Sequence, residues 1–343
     1  MIVGVPKEIK SSEFRVGVTP ATGARIVNEK HTLIVEKNAG NGIGASDEDY
    51  KKIGAQIVEN AADVFEKSEM IVKVKEPQEP EWKMLKEGQI LFTYLHLAAD
   101  PNQAKGLMKS KCHAIAYETI TDNKGTLPLL APMSEIAGRL AVFEGAYHSK
   151  KTSGGPGALI SGVPGVKPSK VVILGGGMVG TNAAHMAAGV GADVTIFDKS
   201  IDRLRYLNDI FGNSAKVLYS EKVTLEEQLS DADLVIGAVL IPGASAPKLI
   251  EKEFLSKMKK NAVLVDVAID QGGCFETSRP TTHNDPTYVV DDIIHYCVAN
   301  MPGSVPKTAS NALNNVTGDY IMKLATHGMD AIEQDKNLAM GLN

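Results

Sequence analysis

Val171-Val172-Ile173-Leu174-Gly175-Gly176-Gly177-Met178-Val179-Gly180 decides the fold: a four-residue apolar run breaks into glycines and then into a helical pattern that continues through Ala188. A GxGxxG spacing alone is weak evidence, but here it has its context. A strand precedes it, a helix follows, and the next apolar run, Val194–Phe197, ends in Asp198, 18 residues beyond Gly180. The glycines divide the work. Gly175 permits the tight turn, Gly177 lets backbone approach a pyrophosphate, and Gly180 allows close helix–strand packing. The pyrophosphate then sits on the free N–H groups at the helix N-terminus. Asp198 would accept from a ribose diol and repel a 2′-phosphate by roughly 1–4 kcal/mol per unit charge at about 4 Å. That favours NAD over NADP, although Lys199 and Arg203 at the same rim are residue types that accept a 2′-phosphate.

Outward from this turn the same alternation recurs. Downstream lie the apolar runs Val217–Tyr219, Leu234–Val239 and Val263–Val267. Upstream lie candidate strands Ile2–Val5, Leu33–Glu36, Met70–Val74, Ile90–Tyr94 and His113–Tyr117, separated by helical stretches Pro20–Asn28, Asp47–Lys52, Asn60–Lys67 and Pro101–Lys109. Strands alternating with helices at this spacing predict βαβ units and parallel sheets. A further helix runs from Ser134 towards His148, and the Gly/Pro-rich stretch 154–168 reads as a connecting loop. The 343 residues suggest roughly two domains. The expected fold is α/β, two Rossmann-like doubly wound domains with a cleft between them. Residues 1–130 with 306–343 form the substrate-binding, catalytic domain, closed by a helix over 309–325, and residues 131–305 form the dinucleotide domain.

Composition excludes several classes. With 43% hydrophobic and 22% charged residues the chain is neither disordered nor fibrous. A net charge of −5 argues against nucleic-acid binding. No apolar stretch approaches the ~20 residues of a membrane span. No basic region precedes the apolar N-terminus, so no signal peptide is expected and a cytoplasmic location is. Cys112, Cys274 and Cys297 are too few and too scattered for a disulfide framework or a zinc site, and the histidines make no ligand spacing, so no metal is expected. There is no P-loop and no GxSxG.

Four polar residues each follow the carboxyl end of a candidate strand, where open α/β sheets bind ligands: Arg15, Lys75, His96 and Asp270. Three fall in the first domain and Asp270 in the second, so together they would straddle the cleft. Arg15 offers a planar fork for a carboxylate, or is a solvated surface arginine. Lys75 could add a donor, or be an exposed lysine beside Pro77. An imidazole can give or take a proton, so His96 could move protons, but in Tyr94-Leu95-His96-Leu97 it could equally be a satisfied core histidine. Asp270 could stabilise a cation or orient water, or simply cap a turn.

Beyond these, longer stretches resemble the alanine dehydrogenase family. They are Gly4-Val5-Pro6-Lys7-Glu8 with Arg15-Val16-Gly17-Val18-Thr19-Pro20, Val72-Lys73-Val74-Lys75-Glu76-Pro77, and Phe92-Thr93-Tyr94-Leu95-His96-Leu97-Ala98. Further on come Pro132-Met133-Ser134-Glu135, Asp202-Arg203-Leu204-Arg205-Tyr206-Leu207, Val265 to Gly273, and Asn300-Met301-Pro302-Gly303-Ser304-Val305-Pro306. The resemblance implies reversible NAD-dependent oxidative deamination of L-alanine to pyruvate and ammonium by a homo-hexamer of two-domain subunits. It implies Arg15 and Lys75 as the substrate-binding pair and His96 and Asp270 as the catalytic pair. Ser134, Met178, Val179, Asp198, Arg203, Ser220, Val239, Leu240, Val267, Ala268, Ile269, Val298, Ala299, Asn300 and Met301 join the glycines as the cofactor wall. Some members of the family hold magnesium through an acidic residue and a histidine in the C-terminal helix; that spacing here carries Lys323 and His327. Two rival readings stay open: the NAD-binding subunit of a proton-translocating transhydrogenase, and a non-catalytic NAD-sensing protein.

Overall fold

Runs such as Ile71-Val72 and Ile90-Leu91-Phe92 are apolar at every position because both of their faces are covered, as parallel strands between helical layers require. In a computed structural model, described over residues 1–239 and 246–343, the chain divides into two compact units, residues 1–133 with 303–343 and residues 134–302.

The first unit holds β1 (Ile2–Val5), α1 (Pro20–Asn28), β2 (Thr32–Glu36), α2 (Asp47–Lys52), β3 (Gln56–Val58), α3 (Ala61–Lys67), β4 (Met70–Val72), α4 (Glu79–Trp82), β5 (Ile90–Thr93), α5 (Pro101–Ser110) and β6 (His113–Ala116). All six strands are parallel, in the order β3-β2-β1-β4-β5-β6. Helix starts are set locally. Thr19 caps α1 ahead of Pro20, Ser46 and Asp49 form a capping box on α2, Asn60 caps α3, and Asp100 caps α5.

The helix α6 (Ala131–His148) leads to the second unit: β7 (Lys170–Leu174), α7 (Met178–Gly189), β8 (Asp193–Asp198), α8 (Ile201–Phe211), β9 (Lys216–Tyr219), α9 (Lys222–Ser230), β10 (Leu234–Gly237), β11 (Val263–Asp266), β12 (Thr287–Val290) and β13 (Ile293–Tyr296). The order is β12-β13-β11-β10-β7-β8-β9, parallel except for the β12 edge. Val171 and Ile173 pack into one apolar layer with α7, and Val172 and Leu174 into the layer on the opposite face. The remaining helices, α10 (Pro306–His327), α11 (Asp330–Gln334) and α12 (Lys336–Ala339), belong to the first unit.

Both sheets repeat one plan: strands are added outward on one side, then the chain returns to the middle and adds strands on the other. The switch falls between β1 and β4 in the first unit and between β7 and β10 in the second. In such sheets the crevice at the switch is where ligands bind.

Several expected strands are too long at their carboxyl ends. The β4 strand stops at Val72, and the Val74 N–H is taken by the Glu8 carboxylate at 2.7 Å. The runs expected to Tyr94, Tyr117, Val239 and Val267 likewise stop at Thr93, Ala116, Gly237 and Asp266. The closing helix extends to 306–327 because Pro306 suits its first turn. Cys274 and Cys297 are buried, and burial pushes their thiols up to about 12 and about 11, so both stay protonated and inert. Among the described residues no helix is long and apolar enough to cross a membrane, and no group of three or more His, Cys, Asp or Glu is placed to hold a metal ion. Lys323 ion-pairs with Asp335 at 2.6 Å, and His327 is exposed.

Candidate active site

Three of the four polar candidates leave three neighbouring strands of the first unit: Arg15 after β1, Lys75 after β4 and His96 after β5, on both sides of its switch. Their loops are braced from below. Lys73, only 1% exposed, is held by Glu8 at 3.0 Å and by Glu81 at 2.7 Å. Burial alone would lower the Lys73 ammonium, but the two carboxylates override it and hold it above the ordinary lysine value. Glu8 is pushed up by burial, against the pull of Lys73, and also accepts from the Val74 N–H. The Tyr117 hydroxyl bonds the Lys73 carbonyl at 3.0 Å, and the Thr93 hydroxyl bonds the Lys75 carbonyl at 2.9 Å. Segment 73–76 is thus tied to the loops after β1 and β6 and to the last residue of β5.

Arg15 is buried, not a solvated surface group. Its Nε and Nη2 donate to the two Glu13 oxygens at 2.7 and 2.6 Å, and its Nη1 lies 3.1 Å from the Met133 sulfur. Burial opposes the charge, but Glu13 outweighs it and raises the guanidinium further. The Nε–Nη2 fork that the sequence suggests for a ligand carboxylate is therefore spent on Glu13.

Lys75 is also buried, its Nζ 4.0 Å from a Glu76 oxygen. The same oxygen lies 3.2 Å from His96 Nδ1, and the other Glu76 oxygen pairs with Lys10. Burial pushes the Glu76 carboxyl up, but the His96 hydrogen bond and the charges of Lys75 and Lys10 hold it well below the usual carboxylate range. His96 is not a core histidine. Its side chain is 35% exposed, it stacks on Tyr94 at 5.8 Å, and its backbone is left-handed at φ 48°. Glu118 secures that turn by accepting from the His96 N–H at 2.6 Å and from the Leu95 N–H at 3.1 Å. Glu13, Glu76 and Glu118 are site residues that the sequence alone does not single out. The adjacency of Glu76 to Lys75 is the one signal it offers.

In the second unit most of the cofactor candidates follow the carboxyl ends of the strands. Gly175, Gly177, Met178, Val179 and Gly180 follow β7, Asp198 ends β8, Arg203 opens α8, and Ser220 follows β9. Val239 follows β10, Val267, Ala268 and Ile269 follow β11, and Val298, Ala299, Asn300 and Met301 follow β13. Ser134 belongs to the helix α6 and follows no strand; α6 packs on α7 so closely that a Cβ on Gly138 would meet the Val179 carbonyl at 2.2 Å. Leu240 lies outside the described residues.

The turn itself fits a dinucleotide. Gly175 has φ 99°, a conformation reserved for glycine. A Cβ on Gly180 would lie 1.8 Å from the Gly175 carbonyl oxygen, whereas a Cβ on Gly177 would have nothing within 4 Å. Gly177 is exposed and caps α7 without a side chain, so the first-turn N–H groups receive no acceptor from it. This is the cradle that a phosphate fills. Asp198 accepts from the Gly176 and Ser200 N–H groups, both at 2.8 Å, which fixes its carboxylate at the rim. Arg203 turns inward. Its Nε donates to the Gly176 carbonyl and its Nη2 to the Thr181 hydroxyl at 2.6 Å. It is engaged in bracing the glycine turn instead of offering its fork to a 2′-phosphate. Lys199 is exposed.

Asp270 is exposed on the short 3₁₀ turn Val267–Gln271. The cap of that turn is Asp266, not Asp270: the buried Asp266 carboxylate accepts from the Ala268 and Cys274 N–H groups at 3.1 and 2.8 Å and from the Ser278 hydroxyl.

Comparison with known proteins agrees over the whole chain. Residues 4–137 match the family described as alanine dehydrogenase/PNT, N-terminal domain, and residues 141–343 match alanine dehydrogenase/PNT, C-terminal domain. The alanine dehydrogenase of Halomonas elongata is 53% identical, covering 100% of this chain and 93% of its own length. A solved L-alanine dehydrogenase superposes with a TM-score of 0.97 at 52% identity, over 100% of this chain and 95% of its own. A transhydrogenase from Sinorhizobium meliloti superposes at 0.86 with 22% identity, over 100% and 98%, a likeness of fold alone.

Proposed function

The chain belongs to the alanine dehydrogenase/PNT family, and from that premise we propose that it interconverts L-alanine, oxidised nicotinamide dinucleotide and water with pyruvate, ammonium, the reduced dinucleotide and a proton. It is an amino-acid dehydrogenase acting on small molecules. The observation that carries this reading is full-length identity of about half with alanine dehydrogenases. The transhydrogenase reading rests on fold alone, and exchange of hydride between two nucleotides has no use for Arg15, Lys75 and His96 gathered at one switch.

We assign the substrate carboxylate to Arg15 and Lys75. The bound dinucleotide supplies a hydride acceptor for the alanine Cα. Asp270 offers negative charge to the cationic imine this leaves. His96 removes a proton from the water that adds to the imine carbon, and ammonia departs from the resulting carbinolamine. The remaining protons are assigned to His96 and Asp270. Production of NADH on mixing L-alanine with NAD at alkaline pH tests the reading. Activity in both directions is expected, and none with alanine or with pyruvate plus ammonium contradicts it.

We infer NAD as the preferred dinucleotide, because Asp198 is fixed at the rim and Arg203 is engaged beneath it. Asp198→Ala is expected to cut the NAD-to-NADP ratio of kcat/KM by about tenfold or more, the effect of removing a repulsion of at least ~1.4 kcal/mol. An unchanged ratio contradicts that role. Cytoplasmic location and assembly into a homo-hexamer are carried over with the family reading, on likeness alone.

A further inference from the structure

We propose that Glu76 is a positioning residue for His96, accepting the imidazole Nδ1–H and so making Nε2 the atom that exchanges protons with the substrate. This rests on the reading of His96 as the proton-handling group.

The Glu76 carboxylate is held by Lys10 on one oxygen and faces His96 Nδ1 at 3.2 Å and Lys75 at 4.0 Å with the other. Lys10 and Lys75 hold it ionised against the opposing effect of burial, which leaves its side chain 13% exposed. An ionised carboxylate only accepts, so the ring nitrogen facing it must be the donor. In the neutral imidazole the lone pair then sits on Nε2, ready to take a proton from water or from an ammonium. This is the arrangement by which an acid orients a histidine base in nucleophilic triads, here without a nucleophile.

Two further contacts fix the ring. The left-handed turn at His96 is secured by Glu118 through backbone N–H groups alone. The Tyr94 ring stacks along one face. The Glu76 backbone is itself anchored, its carbonyl accepting from the Gln78 side chain at 2.9 Å. A ring flip that exchanged the nitrogens would break the Glu76 bond, so the tautomer and the orientation are set together. The charged and titratable groups around His96 are thus Glu76 and Lys75 after β4, Lys10 after β1, Tyr94 after β5 and Glu118 after β6. Of these, Glu76 is the one hydrogen-bonded to the ring.

The pH profile of alanine deamination with Glu76→Gln tests this. The acid limb of kcat is expected to move to lower pH by about one unit, because the anion that favours the protonated ring is gone. The kcat itself is expected to fall about tenfold or more, with alanine KM changed less than about threefold, as when a transition-state contact is lost. Glu76→Asp, which keeps the charge, is expected to retain the limb while losing rate. In a His96→Gln background Glu76→Gln should cost nothing further, since the two act as one unit. An unshifted limb with unchanged kcat, or full additivity with His96→Gln, overturns the positioning role. Unimpaired turnover by His96→Gln alone overturns instead the reading of His96 on which it rests.

Discussion

Replacing His96 with glutamine is expected to lower kcat for alanine deamination by about 10²–10⁴-fold, the usual worth of a positioned general acid or base. NADH affinity, read by fluorescence titration, should stay nearly unchanged. The separation follows from where His96 sits. It belongs to the first unit, leaves the end of β5, and is partly exposed, so its loss opens no cavity in a core. Glutamine is close in length and carries an N–H that Glu76 can still accept. Its amide does not titrate, so proton exchange is lost while the hydrogen bond and the Glu118-held turn are preserved. Retained turnover would remove His96 from the chemistry.

The second large effect separates two glycines three residues apart. Gly180→Ala places a methyl 1.8 Å from the Gly175 carbonyl oxygen and 3.2 Å from Ile173 Cγ2. The near neighbour is backbone at a φ of 99°, so relief requires shifting α7 away from β7 or reshaping the turn. A destabilisation of about 3 kcal/mol or more is expected, at the upper end for overpacking, together with loss of dinucleotide binding. Gly177→Ala meets nothing within 4 Å. Its melting temperature should be unchanged or slightly raised, because alanine restricts the unfolded chain. NADH affinity should nevertheless drop, since the methyl occupies the approach of the pyrophosphate. Paired thermal melts and NADH titrations check this. Equal melting losses in both variants would contradict the division between a packing glycine and a contact glycine.

The alternation of buried strands with capped helices is legible in the sequence wherever both sheet faces are covered. Ile2–Val5, Pro20–Asn28 and Asp47–Lys52 stand where pattern and cap residues put them. The edge strand β3, Gln56–Val58, carries no such signal because none of its three residues is fully buried. The β12–β13 hairpin is hidden for two reasons: β12 is half-exposed, and its partner carries buried His295 and Tyr296 instead of an apolar run. Strand ends read too long where an apolar residue continues after a side chain has taken the backbone N–H, as Glu8 does at Val74.

At the candidate site, residue type and position are readable but partners are not. Arg15 and Arg203 look alike as free forks in sequence. Folding commits one to Glu13, two residues before it, and the other to the glycine turn at Gly176 and Thr181. Glu76 is one of 41 acidic residues. Only the fold brings Lys10 and His96, 66 and 20 residues away from it, to the same carboxylate.

A crystal structure with NADH and pyruvate bound tests most directly whether these groups serve one reaction. The pyruvate carboxylate should lie on Arg15 and Lys75, its keto oxygen within hydrogen-bond reach of His96 Nε2, and its C2 about 3–3.5 Å from the nicotinamide C4. Pyruvate bound out of reach of those side chains, or a nicotinamide ring turned away from it, would contradict the proposed chemistry.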